Sequence, residues 1–148
     1  ALQGRTVTTH IPADLPMVEM DGLLIEQVLV NLLDNALKYS PASSPLEIGV
    51  THDSRCLSIS LCDHGPGIRT GDEERIFEKF YRSGTPDKEL QRRGSGLGLA
   101  ICKAIVETHG GTIQAENRSD GGACFTFFLP ATRKPPASEP AVEEAGLV

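Results

Sequence analysis

The order in which helical and strand-like patterns follow one another restricts the fold of this chain more than any other feature. A weak alternation at 5–10 predicts a strand, and an amphipathic run at 23–39 predicts a long helix. The other predicted elements are two hairpins, at 46–51 with 56–62 and at 112–116 with 123–129, and two further helices, at 73–80 and 96–109. This order predicts an α/β (α+β) fold, a two-layer sandwich in which a mixed sheet is covered on one face by three helices.

Composition restricts the class of protein. The 148 residues, 39% hydrophobic and 23% charged, are typical of one globular domain, which we place at 1–130. Residues 131–148 combine proline, alanine and glutamate without periodicity, which predicts a disordered tail. A formal charge of −6 with few basic clusters disfavours nucleic acid as a partner. No apolar run approaches the ~18 residues of a membrane span, so we expect no membrane insertion by this segment.

The four cysteines are widely separated. Cys56, Cys62, Cys102 and Cys124 show no C-x-x-C spacing, and each has apolar neighbours. Free cysteine is among the most buried residue types. The sequence therefore predicts four buried, reduced thiols.

Four polar residues of the first predicted helix share one face. Asn31, Asn35, Lys38 and Tyr39 are spaced i, i+4, i+7 and i+8. A surface helix also turns a polar face to water, so solvent exposure is the alternative interpretation. Two amide oxygens one turn apart can instead bind a hard cation such as Mg²⁺, which shares its remaining positions with waters and phosphates. Lys38 and Tyr39 would then meet phosphate oxygens.

Two glycine-containing segments add candidate binding groups. Asp63 is predicted to end a strand just before Gly65 and Gly67, where its carboxylate can accept from an exocyclic amine or stabilise a turn. Residues 94–98, Gly-Ser-Gly-Leu-Gly, open the third predicted helix, whose unpaired N–H groups favour phosphate. This segment is not a dinucleotide fingerprint, because no strand leads into it and the third glycine is missing. The chain also lacks a Walker A sequence.

Four motifs together resemble those of sensor histidine kinases. Residues 31–39 resemble the N box of that family, 63–68 its G1 box, 76–82 its F box and 94–99 its G2 box. All four occur in the family's order, and such a series is far more specific than any single glycine motif. The resemblance covers roughly residues 15–130.

Within this family, residues 100–111, 117–118 and 121–125 are most similar to the potassium and turgor sensor kinases of the Kdp system. The resemblance implies a Bergerat-type ATP-binding fold with a mainly antiparallel sheet. It also implies that residues 68–95 form a mobile lid over the nucleotide.

The resemblance further implies a site for ATP and Mg²⁺. Asn31 and Asn35 would hold Mg²⁺, and Asp63 would accept from the adenine amine. Asn31, Lys38 and Arg82 would have catalytic roles, with Arg82 stabilising charge on the γ-phosphate. The other implied nucleotide contacts are Tyr39, Gly94, Ser95, Gly96, Leu97 and Gly98 near the phosphates, and Gly65, Gly67 and Ile68 near the base. Arg92 and Arg93 of the lid either meet the γ-phosphate or remain solvated.

In this family the γ-phosphoryl group passes to a histidine on a separate dimerisation domain of the parent kinase. The partner of that parent kinase is a cognate response regulator. We expect this acceptor outside the present residues, because Asn31 lies too near the start to leave room for its helical hairpin. Efficient autophosphorylation of the isolated chain is therefore not expected. The resemblance also implies a cytoplasmic domain whose parent lies in the bacterial inner membrane.

Other functions remain open at this point. An ATP hydrolase of the superfamily shared with gyrase, heat-shock chaperones and mismatch-repair proteins would need a glutamate to activate water. Asn31 stands at the matching position, and an amide cannot act as a general base. A non-catalytic module that binds adenine nucleotide and a partner protein is the second alternative, against which the intact motifs weigh. The F box disfavours an anti-sigma-factor kinase.

Overall fold

A computed structural model describes residues 6–79, 81 and 97–131. The elements are strand β1 (Val7–His10), helix α1 (Gly22–Tyr39), strands β2 (Leu46–His52) and β3 (Cys56–Cys62), a 3₁₀ turn (Arg75–Phe77), helix α2 (Gly98–Thr108), and strands β4 (Thr112–Asn117) and β5 (Ala123–Pro130). The predicted strands and the first and third predicted helices are confirmed, with ends within two residues of those expected.

The five strands form one sheet in the order β1-β2-β3-β5-β4. Strand β1 pairs with β2 in parallel, which is sterically possible because α1 forms the crossover between them. The other three pairings are antiparallel. Both predicted hairpins are present, and the β3–β5 pairing joins them. The mixed, mainly antiparallel sheet is therefore confirmed.

Both α-helices pack on one face of this sheet. Strand β5 alternates strictly, with Phe125, Phe127 and Leu129 buried and their neighbours partly exposed. The helical residues that bury against this face are Ile25, Val28, Leu32 and Ala36 of α1 and Cys102, Ile105 and Val106 of α2. The two-layer arrangement is confirmed, and it leaves the second face of the sheet uncovered by these helices.

The predicted helix at 73–80 is wrong in length. Only Arg75–Phe77 forms a 3₁₀ turn, and the backbone is already extended at Glu78. Ile76 and Phe77 are adjacent rather than one turn apart, and both are buried in the core. The burial of this adjacent pair in the core, rather than an amphipathic pattern, holds the segment as a short 3₁₀ connection.

A histidine fixes the start of α1 against the end of α2. Asp21 caps α1, since its Oδ1 accepts from the N–H groups of Leu23 and Leu24 at 3.1 and 3.2 Å. The N–H of Asp21 itself donates to Nε2 of His109 at 2.9 Å. The other ring nitrogen, Nδ1, is 2.8 Å from the carbonyl oxygen of Ile105, to which the neutral ring donates. His109 thus has a structural position between the helices.

The prediction of four buried thiols is wrong for three of the cysteines. Cys62 and Cys124 are opposite one another on β3 and β5 and form a disulfide. Cys56 is free and half-buried, whereas Cys102 is free and fully buried. The alternation of the two strands explains the difference, because Cys62 and Cys124 point to the face without helices. Burial raises the pKa of the Cys102 thiol to about 11.

In the described part of the chain, no helix is long and apolar enough to cross a membrane. Ala131 still donates its N–H to the carbonyl oxygen of Arg55 at 2.8 Å. The remainder of the predicted tail, 132–148, lies outside the described residues, as do residue 80 and the lid residues 82–96.

Candidate nucleotide-binding site

A cavity of about 130 Å³ opens where the C-terminal half of α1, the end of β3 and the 3₁₀ turn meet. Its lining residues are Asn35, Tyr39, Asp63, Pro66, Gly67, Ile68, Arg69, Ile76, Tyr81, Leu99, Ala123 and Phe125. Five of the residues singled out from the sequence meet here, although they come from two separate motifs. The lining combines apolar side chains with a smaller number of polar ones, an arrangement found in small-molecule sites.

Asp63 is the buried carboxylate of this cavity, with 5% of its surface exposed. Its Oδ1 accepts from the N–H groups of Gly65 at 2.9 Å and Ala123 at 3.2 Å. Its own N–H donates to the carbonyl oxygen of Ala123 at 2.9 Å. Among the described residues, Oδ2 has no hydrogen-bond partner. The backbone therefore orients the carboxylate through one oxygen and leaves the other to accept from a ligand.

The two glycines after Asp63 permit close approaches of the backbone. A Cβ at Gly65 would lie 2.7 Å from the carbonyl oxygen of Tyr39, so the loop packs directly on the end of α1. Gly67 has a φ of +83°, and a Cβ there would lie 2.6 Å from Oδ1 of Asn117. Both glycines are predicted from the sequence to shape the base pocket. Gly67 lines the cavity, whereas Gly65 packs on the end of α1.

Asn117 holds this loop from the end of β4. Its Oδ1 accepts from the N–H of Ile68 at 2.6 Å, and its Nδ2 donates to the carbonyl oxygen of the same residue at 2.9 Å. The side-chain amide thus pairs with Ile68 as a neighbouring strand would. Sequence reasoning missed this contact, because 49 positions separate the two residues and no local pattern connects them.

Replacing Asn117 with alanine is expected to weaken nucleotide binding roughly five- to thirtyfold, since two hydrogen bonds that hold Ile68 are lost, at about 1–2 kcal/mol in total. Calorimetric titration with an ATP analogue measures the affinity, and amide hydrogen exchange at Ile68 reports whether the loop is released. Gln114→Ala, at an exposed site on the same strand, is the matched control. If amide hydrogen exchange at Ile68 is the same in Asn117→Ala as in wild type, the side chain of Asn117 does not hold this loop.

The polar face of α1 divides into two parts in the structure. Asn35 and Tyr39 line the cavity, whereas Asn31 and Lys38 are half-buried outside its lining. Oδ1 of Asn31 accepts from Nε2 of Gln27 at 2.8 Å, and its Nδ2 donates to the carbonyl oxygen of Gly98 at 3.3 Å. Asn31 therefore connects the N-box helix to the first turn of α2.

The glycine-rich segment is described only from Leu97 onward. Leu99 lines the cavity although it is not among the site residues predicted from the sequence. A Cβ added at Gly98 would have no atom within 4 Å, so the space beside this residue is open. The other selected residues, Arg82, Gly94, Ser95 and Gly96, lie outside the described residues.

A second polar cluster borders the cavity beside the 3₁₀ turn. Tyr81 donates its hydroxyl to Oδ2 of Asp72 at 2.8 Å, and Arg75 lies 3.5 Å from Oδ1 of the same carboxylate. Burial, reinforced by the bond to Asp72, raises the pKa of Tyr81 above its usual range. Asp72 is itself buried and anchors Tyr81, which directly precedes Arg82 in the F box.

The sequence profile described as "Histidine kinase-, DNA gyrase B-, and HSP90-like ATPase" matches residues 20–133. The sensor protein KdpD of Clostridium acetobutylicum is 48% identical over 128 residues, which are 86% of this chain but 14% of KdpD. The chain therefore spans about one seventh of that relative.

Solved structures agree with the profile. The catalytic domain of histidine kinase ThkA is 30% identical with a TM-score of 0.74, over 86% of this chain and 81% of that domain. ThkA in complex with the response regulator protein TrrA gives 31% identity and a TM-score of 0.71, over 87% of this chain and 35% of the ThkA chain. The profile, the relatives and the shared motifs lead to one assignment: the chain belongs to the histidine kinase-, DNA gyrase B- and HSP90-like ATPase family and, within it, to the catalytic domains of sensor histidine kinases.

Proposed function

We propose that this chain binds Mg-ATP in the cavity around Asp63 and donates the γ-phosphoryl group to a histidine on a separate dimerisation domain. The observation that supports this most is the buried carboxylate of Asp63, which the backbone orients at Oδ1 while Oδ2 is left to accept from a ligand. An exocyclic amine such as that of adenine supplies the required donor. Ile68, Ile76 and Leu99 give the cavity apolar walls for the flat base.

Asn31 and Asn35 would hold the magnesium ion. Amide oxygens are hard donors of the kind that Mg²⁺ accepts, and the ion keeps waters and phosphate oxygens in its other positions, so two such groups fit it. No cluster of three or more His, Cys, Asp or Glu that could bind a metal occurs among the described residues. Oδ1 of Asn31 would exchange its bond from Gln27 for the ion. When bound, the metal neutralises charge on the β- and γ-phosphates.

The remaining roles follow the family resemblance. Lys38 and Tyr39 lie at the end of α1 and would approach the phosphates, and Leu97 and Gly98 lie at the start of α2, where the helix dipole favours an anion. We assign Arg82 to the γ-phosphate, and Gly94, Ser95 and Gly96 to the phosphate loop. In the transfer, the bond from the γ-phosphorus to the bridging oxygen breaks while a bond to a histidine nitrogen forms.

The partners of this domain would be the dimerisation domain that bears the histidine and a cognate response regulator. The structure of ThkA with the response regulator TrrA supports the second. As the family resemblance implies, we place the domain in the cytoplasm and its parent in the bacterial inner membrane.

Phosphotransfer to a supplied histidine domain tests this function. The chain is incubated with γ-labelled ATP, Mg²⁺ and the dimerisation domain of Clostridium acetobutylicum KdpD, its 48% identical relative. Label on the histidine domain is expected. Free phosphate alone would indicate a hydrolase, and nucleotide binding with neither product would indicate a non-catalytic module; both results contradict the proposal.

Replacing Asn35 with alanine is expected to remove the Mg²⁺ dependence of nucleotide binding. Changes to groups that only hydrogen-bond to a metal ligand already weaken metal affinity by about tenfold or more, so a lost ligand should do no less. Calorimetric titration of an ATP analogue with and without Mg²⁺ measures the effect. Asp34→Ala, at an exposed position on the same helix, is the control. If Mg²⁺ strengthens binding equally in both variants, Asn35 is not a ligand.

A further inference from the structure

The disulfide between Cys62 and Cys124 lies on the face of the sheet opposite the helices. The two residues are partners in the antiparallel β3–β5 register. Along β5 the buried residues on either side, Ala123 and Phe125, point into the core, while Cys124 is only half-buried. The sulfur atoms are therefore on the side of the sheet that α1 and α2 leave open.

An open cleft of about 480 Å³ gives access to this pair. Both cysteines line it together with Glu47, Glu116, Arg118 and Asp120. Arg118 forms ion pairs with Glu47 at 3.8 Å and Asp120 at 3.2 Å, yet its Nη1 is buried without a hydrogen-bond partner among the described residues. A neighbouring guanidinium favours a thiolate over a thiol, whereas the three carboxylates oppose it, of which Glu47 and Asp120 are paired with Arg118. The cleft thus has room for a small thiol, and Arg118 contributes a positive charge to its lining.

Each cysteine is directly adjacent to a residue of the nucleotide cavity. Asp63 follows Cys62, and Ala123 precedes Cys124; both line that cavity. These two neighbours are hydrogen-bonded in both directions, from the N–H of Asp63 to the carbonyl oxygen of Ala123 and from the N–H of Ala123 to Oδ1 of Asp63. A change in the spacing of the cysteines therefore acts on the bonds that orient the carboxylate.

We propose that Cys62 and Cys124 form a thiol–disulfide exchange site for small thiols, and that its oxidation state sets the nucleotide affinity of the cavity on the opposite face. A small thiolate attacks one sulfur, and the other cysteine leaves as a thiolate that takes up a proton. A second small thiol then releases the first cysteine and forms the small-molecule disulfide. Two electrons thus pass to the protein, and a small disulfide such as oxidised glutathione reverses both steps.

The geometry indicates whether reduction of the disulfide raises or lowers the nucleotide affinity. The cavity and its oriented carboxylate occur with the covalent bond in place. Reduction requires the two sulfurs to separate to non-bonded distance, which spreads β3 and β5 beside Asp63 and Ala123. Reduced protein is therefore expected to bind nucleotide more weakly, by roughly fivefold, the lower end of typical coupling between two sites. This effect on affinity rests on the proposed function, whereas the exchange reaction does not.

The test equilibrates the whole chain in buffers with different ratios of reduced to oxidised glutathione. Free thiols are blocked with a maleimide and assigned by peptide mass spectrometry, and parallel samples are titrated with a non-hydrolysable ATP analogue. Cys62 and Cys124 are expected to change together, and nucleotide affinity to follow their oxidation. The Cys62→Ser/Cys124→Ser double variant should lose the redox response, and Cys56→Ser, on the same face of β3, should keep it.

The two readouts separate the possible failures. Thiols at 62 and 124 that stay free in every buffer, or a disulfide that glutathione never reduces, would overturn the exchange site. Equal affinity in both oxidation states would overturn the coupling alone. Absence of nucleotide binding in both states would overturn the proposed function and the coupling with it, while the mass spectra still decide the exchange. Wild-type samples supply every comparison even if the double variant does not fold.

Discussion

Asp63→Asn is expected to weaken ATP binding by roughly ten- to a hundredfold while the fold is retained. The amide oxygen can still accept from the N–H groups of Gly65 and Ala123, so the local backbone keeps its bonds. The amide nitrogen replaces Oδ2 and turns a donor toward the donor amine of adenine. A lost hydrogen bond to a charged group costs about 1.5–3 kcal/mol, which gives this range.

The base specificity of this variant is a sharper test than its affinity. Inosine triphosphate carries a carbonyl oxygen where ATP carries the amine, so the side-chain amide of the Asp63→Asn variant could donate to it. The ratio of ATP affinity to ITP affinity should therefore fall in this variant. Titration of both nucleotides against wild type and variant measures this ratio, and circular dichroism checks the fold. A ratio equal to that of wild type would mean that Asp63 does not contact the base amine.

Gly122→Ala is expected to lower the free energy of unfolding by roughly 2–6 kcal/mol, the sum of backbone strain and overpacking. Gly122 has a φ of +90°, and a Cβ there would lie 2.0 Å from the carbonyl oxygen of Asp63. That oxygen belongs to the backbone and cannot rotate away as a side chain could. Because any relief moves Asp63, nucleotide affinity should fall as well.

The neighbouring glycine provides a matched control for this variant. Gly121 also has a positive φ, +102°, but a Cβ there would have no atom within 4 Å. Gly121→Ala should therefore show only the strain, about 1–3 kcal/mol, and little loss of nucleotide affinity. Urea unfolding and calorimetric titration measure both quantities. If the two variants lose equal stability and affinity, the close approach of Gly122 to Asp63 has no energetic consequence.

Sequence patterns predicted most of the secondary structure, but the predictions for the segment 73–80 and for the cysteines were wrong. Short apolar runs separated by turn residues predicted β2 and β3, and the spacing of apolar residues predicted α1 and α2. The prediction of a helix at 73–80 failed, because Ile76 and Phe77 are buried in the core without an amphipathic helix around them. The prediction of buried, reduced cysteines failed because a shift of one residue in a strand decides whether a side chain faces the core or the open face of the sheet.

The sequence by itself determined the motifs, the strands and the apolar helix faces, since these depend on residues that are near one another along the chain. It also determined the family and the chemical type of Asp63, Asn35 and Tyr39. Only the tertiary structure decided which distant groups meet: Asn117 with Ile68, Ala123 with Asp63, and Cys62 with Cys124, at separations of 49, 60 and 62 residues. These contacts depend on β5 lying between β3 and β4, an order that no local pattern encodes.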